Sequence, residues 1–151
     1  PDLRPAVETH VGPAEAVVGE LDSYDRVLMV ETIEHLRAPW SVLERAAERV
    51  APGGRIVIST PNLATLRHRV ELLVRGRLTS FRPDNAPHLT PALPHVIATI
   101  LCGCGLAVER SRFAAADVIP LTGGTTWPPA LRSRAARLLS VSVIVAGERL
   151  R

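Results

Sequence analysis

All 18 basic side chains of this 151-residue chain are arginine, and lysine does not occur. The formal net charge is +3 and the sequence pI about 9.7. Two readings compete for this excess: arginine for phosphate or carboxylate recognition, or genome-wide codon bias. The accompanying wealth of alanine and proline favours bias. Aromatic residues make up only 3% of the chain, too few for an obvious base-stacking surface. With lysine absent as well, nucleic acid is disfavoured as a ligand, and small molecules, lipid precursors or sugars remain. Two cysteines are present. Cys102 and Cys104 are too close for an unstrained disulfide and lack the second pair a zinc site needs, so they read as buried thiols near a helix end. No apolar run approaches the ~20 residues that span a bilayer. The N-terminus, PDLRPAVETH, has no apolar core and does not read as a signal peptide, which with the sparse cysteine points to a reducing cytoplasm. The only G-x-G, Gly103-Cys104-Gly105, follows a helical pattern and precedes a strand. That order is wrong for a nucleotide-binding turn and reads as a helix C-cap.

What is present is organised around residues 24–62. Hydrophobic content of 46% and a mean hydropathy of +0.16 fit a single globular domain, spanning residues 1–151 and long enough to bury ~70% of its unfolded surface. Val27 to Val30 is a short apolar run, the pattern of a parallel strand covered on both faces. Ile56 to Ile58 is β-branched throughout and reads as a second strand. Between them Val42, Leu43, Ala46, Ala47 and Val50 recur at helical spacing, with Glu44, Arg45, Glu48 and Arg49 opposite. Pro39 and Ser41 suit the helix start, and Pro52-Gly53-Gly54 reads as a stop and turn. Strand, helix and strand at this separation predict a right-handed parallel crossover.

The segments YDRVLMVETIEHL and VAPGGRIVISTPN, in that order, resemble the fourth and fifth strands of class I S-adenosylmethionine-dependent methyltransferases, with their E-x-x-E-H and STPN motifs. The resemblance continues more weakly to the C-terminus. It implies an α/β, Rossmann-like methyltransferase fold with a mixed sheet and a C-terminal antiparallel hairpin. It also implies what is missing: no glycine-rich G-x-G-x-G turn, first strand or second strand precedes this part. The fold is therefore expected to be incomplete, an N-terminally truncated domain. The implied activity is methyl transfer from S-adenosylmethionine, most simply to an oxygen of a small-molecule acceptor. The competing reading is a non-catalytic, degenerate half-domain that packs on a partner. A missing N-terminal segment or a dimer would cover the open flank of the strand at Val27 to Val30.

Within that resemblance the candidate site residues follow. Val11-Gly12-Pro13-Ala14-Glu15 resembles the segment that supports the adenine ring, so Ala14 and Glu15 are cofactor candidates, with Pro13 where the family has aspartate. Glu31 is a further cofactor candidate. Glu34 and His35 are the catalytic candidates, with His35 as general base. Asn62, closing STPN, and His88, on the loop Leu78 to Thr90, are the substrate candidates. Positions 31, 34 and 35 share a face if the turn after the strand is helical, and lie beyond the carboxyl end of a parallel strand, where such sheets bind ligands. Glu31, Glu34, His35 and His88 could together hold Mg²⁺ or Mn²⁺, with two coordination positions open to vicinal hydroxyls. Many relatives with a similar pair bind no metal.

Elsewhere, Leu63, Leu66, Val70, Leu73 and Val74 predict a helix ended by Gly76. Thr90 and Pro91 suit the start of another, with Val96, Ile97, Ile100 and Leu101 as its buried stripe. Residues 105–113 and 141–147 read as strands, the latter lying between the former and the strand near 54–60. Leu131 to Leu139 reads as a short basic helix, and Gly123-Gly124 as part of a surface loop.

Overall fold

The computed structural model describes residues 9–81, 88–109, 111–116 and 136–150. Tyr24–Val30 forms β1 and Val50–Pro61 forms β2. They run parallel, with Val27 opposite Ile56 and Met29 opposite Ile58. The crossover is α2, Pro39–Glu48, with proline in the first turn where its missing N–H leaves no bond unmade. It buries Val42, Leu43, Ala46 and Ala47, the predicted stripe.

β2 begins earlier than its β-branched core suggests. Tyr24 pairs with Val50 but Arg26 pairs with Arg55, so two steps on β1 face five on β2. The surplus bulges out through Pro52-Gly53-Gly54, which is thus absorbed into the strand rather than stopping before it. Gly53 has φ 75°. At Gly54 a Cβ would lie 2.8 Å from the Ala51 carbonyl oxygen and 3.0 Å from that of Asp25. Only glycine lets the two backbones approach this closely.

The last strand, β5 (Ser140–Arg149), pairs antiparallel with β2. On its other edge lie β3 (Leu106–Val108) and β4 (Arg112–Ala116), also antiparallel. The sheet order is β1-β2-β5-β3, with β4 on β5, so β5 takes its predicted place. The strand expected at 105–113 is split. Val108 faces Gly147 and Arg112 faces Ile144, so four steps meet three, which makes one surplus residue. The single alternation read from Leu106 to Phe113 is broken there.

Helices α1 (Ala14–Glu20), α2 and α4 (Pro94–Gly103) all cover one face of the sheet. Val18, Leu43, Ile97 and Leu101 meet Met29, Ile56, Ile58 and Val145 there. Burial of β1 on both faces is not observed: alternation sends Met29 to the helices, while Leu28 and Val30 stay 66% and 64% exposed. The start of α4 also differs from expectation. Pro94, not Pro91, occupies its first turn, because a helix begun at Pro91 would place Pro94 where an N–H is needed. Gly105 turns the chain out of α4 with φ 80°. Cys102 is exposed and Cys104 half-buried, both free, so neither is the fully buried thiol expected.

α3 (Leu66–Arg75) is capped by the Thr65 side chain, which accepts from the His68 N–H, and ended by Gly76 in the left-handed region at φ 66°. The predicted terminator holds. Leu63 is buried, yet no residue of α3 is. Of the basic helix read at 131–139, Ala136–Leu139 is helical and forms α5. Gly123-Gly124 lies outside the described residues. Among those described, no helix is long and apolar enough to cross a membrane.

Candidate functional site

The chain leaves β1 through Glu31, whose φ of 46° is the only positive value at a non-glycine residue among those described. Such a conformation costs ~1–3 kcal/mol and persists where surrounding bonds hold it. Here they come from β2. The Glu31 N–H donates to the Ser59 carbonyl and hydroxyl oxygens, both at 3.1 Å, and the Ser59 hydroxyl donates to Glu31 Oε1 at 2.8 Å. The backbone then closes one 3-10 turn, Ile33–His35. Ile33 is fully buried in the core beneath it, which fixes its orientation.

Glu34 is 1% exposed. Its Oε2 accepts from the Thr60 hydroxyl at 3.3 Å. Its Oε1 is buried without a hydrogen-bond partner and lies 3.8 Å from His35 Nε2, too far for a hydrogen bond. A loop from far along the chain completes the cluster. The Leu89 and Thr90 N–H groups donate to the Glu34 carbonyl at 2.7 and 3.0 Å, and the Thr90 hydroxyl donates to the Leu36 carbonyl at 3.3 Å. This latch carries His88 over His35, with ring centroids 4.9 Å apart, and against Phe81 at 5.4 Å. His88 Nδ1 is buried and also lacks a hydrogen-bond partner. One donor atom each from Glu34, His35 and His88 lies within 4.8 Å of the others.

Glu31 does not join this group, which corrects the four-residue ligand set. The shared helical face assumed for positions 31, 34 and 35 does not exist, because Glu31 sits outside the turn with left-handed backbone. Ser59 and Thr60 are successive residues of a strand and point to opposite faces. Ser59 therefore holds Glu31 on one side while Thr60 holds Glu34 on the other. The STPN motif is thus a clamp on the two acids of E-x-x-E-H, a role the sequence reading missed.

Asn62, expected against substrate, is used otherwise. It is 1% exposed, and its amide donates to the Arg137 and Ser140 carbonyls, both at 2.9 Å, while its Oδ1 accepts from the Ala64 N–H at 3.0 Å. The amide thus fastens the end of β2 to α5 and the start of β5, while Oδ1 holds the turn that follows Asn62. Ala14 and Glu15 lie in the first turn of α1, where the Glu15 carbonyl accepts from Arg45 Nη1 of α2 at 3.0 Å; no described bond links them to the cluster. Chemically the cluster unites a buried carboxylate, a half-exposed imidazole and a second imidazole: groups able to take up a proton, orient a hydroxyl or ligate a cation.

Comparison with known proteins gives three points of reference. A curated ubiquinone biosynthesis O-methyltransferase from Aeromonas salmonicida (strain A449) is 36% identical over 75 residues, which cover 47% of this chain and 32% of that protein. The chain thus matches about a third of its curated relative's length. The crystal structure of a SAM-dependent methyltransferase from Archaeoglobus fulgidus superposes with a TM-score of 0.61 at 16% identity, covering 91% of this chain and 66% of that one. An O-methyltransferase family protein from Burkholderia thailandensis gives 0.55 at 19% identity, covering 94% and 35%. At such identities the structural likeness speaks for the fold, which is the Rossmann-like methyltransferase fold. The family model described as a methyltransferase domain matches residues 4–109, and the chain belongs to that family.

Proposed function

We propose that this chain is the acceptor-side part of an S-adenosylmethionine-dependent methyltransferase that methylates an oxygen of a small molecule, as one N-terminally incomplete domain. The observation that carries the proposal is the latch of His88 onto the Glu34-His35 turn at the carboxyl end of β1. Family membership and the name of the Aeromonas relative support the reaction type and the oxygen acceptor. The cofactor's glycine-rich turn is absent from the sequence, so that part of the cofactor site is supplied from outside these residues, with Glu31, Ala14 and Glu15 as this chain's contributions. In the reaction, the acceptor oxygen forms a bond to the methyl carbon as the carbon–sulfur bond breaks. His35 takes the hydroxyl proton, and S-adenosylhomocysteine leaves. The Glu34 carboxylate, held by Thr60, stabilises the imidazolium so formed. His88 bounds the acceptor on the opposite side. Most of the acceleration comes from holding oxygen and methyl group in line.

A second use of the same residues is favoured by a specific observation: Glu34 Oε1 and His88 Nδ1 are both buried without a hydrogen-bond partner, a cost that a bound cation would relieve. One carboxylate and two imidazoles fit a divalent cation, and the two nitrogens suit Mn²⁺ better than Mg²⁺. Glu34, His35 and His88 would hold it, and it would lower the pKa of an acceptor hydroxyl.

Two measurements test this. Calorimetric titration of the chain with Mn²⁺ should show binding that Glu34→Gln and His88→Ala abolish; unchanged binding in both variants, or none in the parent, removes the cation and leaves His35 as base. Radiolabel transfer from S-adenosylmethionine to a panel of vicinal diols, using the coding sequence extended upstream, should be lost in His35→Ala. Full transfer in that variant refutes the catalytic assignment. Absence of any transfer or cofactor binding favours the non-catalytic half-domain that packs on a partner.

A further inference from the structure

Helix α3 is turned inside out. Leu66, Val70, Leu73 and Val74 occupy positions i, i+4, i+7 and i+8, a continuous apolar stripe, and they are 50%, 51%, 86% and 74% exposed. On the opposite side His68 and Glu71 are half-buried, with Leu72 and Arg75 beside them exposed. His68 Nδ1 lies 3.0 Å from both the Asn62 carbonyl oxygen and the Thr65 hydroxyl. Glu71 accepts from the Thr79 hydroxyl and pairs with Arg75 at 3.6 Å. The helix is capped at both ends, by the Thr65 side chain and by Gly76.

Charge indicates what the stripe meets. Arg67 borders it on one side and Arg69 on the other, and Arg77 follows beyond the cap; all three are exposed. Arg69 spends only its Nε on the Ala64 carbonyl. Between residues 65 and 81 the sole acid is Glu71, which is held on the inward side. A second copy of the chain across a two-fold axis would set arginine against arginine on both flanks. An anionic lipid surface matches the stripe and both flanks together, with leucine and valine entering the acyl boundary while the guanidinium groups remain among phosphates.

We infer that α3 docks the protein flat on an anionic lipid surface. This goes beyond methyl transfer and does not depend on it. The test is co-sedimentation of the full chain with phosphatidylcholine vesicles, with and without phosphatidylglycerol, at low and high salt. Binding is expected only with the anionic lipid. Arg67→Gln with Arg69→Gln should weaken it by about fivefold per arginine, and high salt should weaken it similarly. Leu73→Glu with Val74→Glu should reduce it by more than about tenfold, whereas Leu28→Ser with Val30→Ser, on the open sheet face, should leave it unchanged. Equal binding to neutral vesicles, no binding, or binding indifferent to the α3 substitutions overturns the inference. So does a dimer in light scattering that Leu73→Glu with Val74→Glu dissolves, which would assign the stripe to a second copy.

Discussion

Replacing Asn62 with alanine separates a structural role from a substrate contact. The side chain makes three hydrogen bonds at 2.9, 2.9 and 3.0 Å, in a position 1% exposed. At ~1 kcal/mol each, their loss destabilises the fold by ~3 kcal/mol, a large fraction of the total stability of a domain this size. The carbonyls of Arg137 and Ser140 would be left without that donor, which acts in the same direction. With m-values of ~1–3 kcal/mol per molar urea, the unfolding midpoint should fall by about 1–3 M. Asn62→Asp keeps the acceptor for the Ala64 N–H but turns a carboxylate toward two carbonyl oxygens, so it should be at least as damaging. Equilibrium urea unfolding followed by far-UV circular dichroism reads both. A midpoint for Asn62→Ala indistinguishable from the parent would refute this reasoning and return Asn62 to the substrate.

Gly54→Ala forces its Cβ against three backbone oxygens, the closest at 2.8 Å. It should cost ~1–3 kcal/mol, and the same urea titration detects it. The Thr79 hydroxyl holds the Glu71 carboxyl below its usual range. A depressed carboxylate contributes stability that is complete above its unfolded pKa of ~4.3 and is lost as pH falls through the folded value. Acid unfolding of the parent should therefore be steeper below that pH than in Thr79→Val, and superimposable curves would count against the bond. Burial, reinforced by Glu44 and Glu48, pushes the Cys104 thiol up, while Cys102 is exposed. Iodoacetamide near neutral pH should label Cys102 first by mass spectrometry; preferential labelling of Cys104 would contradict its placement.

Much of the framework was legible from residue order. The apolar periods of β1, α2 and β2 and the helix-ending role of Gly76 rest on local spacing, which the backbone must obey wherever it folds, whereas the place of β5 in the sheet was implied by the family resemblance. The cluster of Glu34, His35 and His88 was only partly legible. Spacing placed Glu34 and His35 together because they share one turn, but it could not see the left-handed backbone of Glu31 that takes that acid out of it. The opposed pull of Ser59 and Thr60 depends on register between two strands, which no single segment encodes. His88 reached the site through main-chain bonds from Leu89 and Thr90 to Glu34, and backbone donors carry no sequence signature. The reversal of α3 is of the same kind. Its apolar stripe was evident in the sequence, but whether a stripe faces the core depends on what else is there to bury it. In this chain His68 and Glu71 bond to neighbouring residues on one side of the helix, while Leu73 and Val74 lie outside on the other.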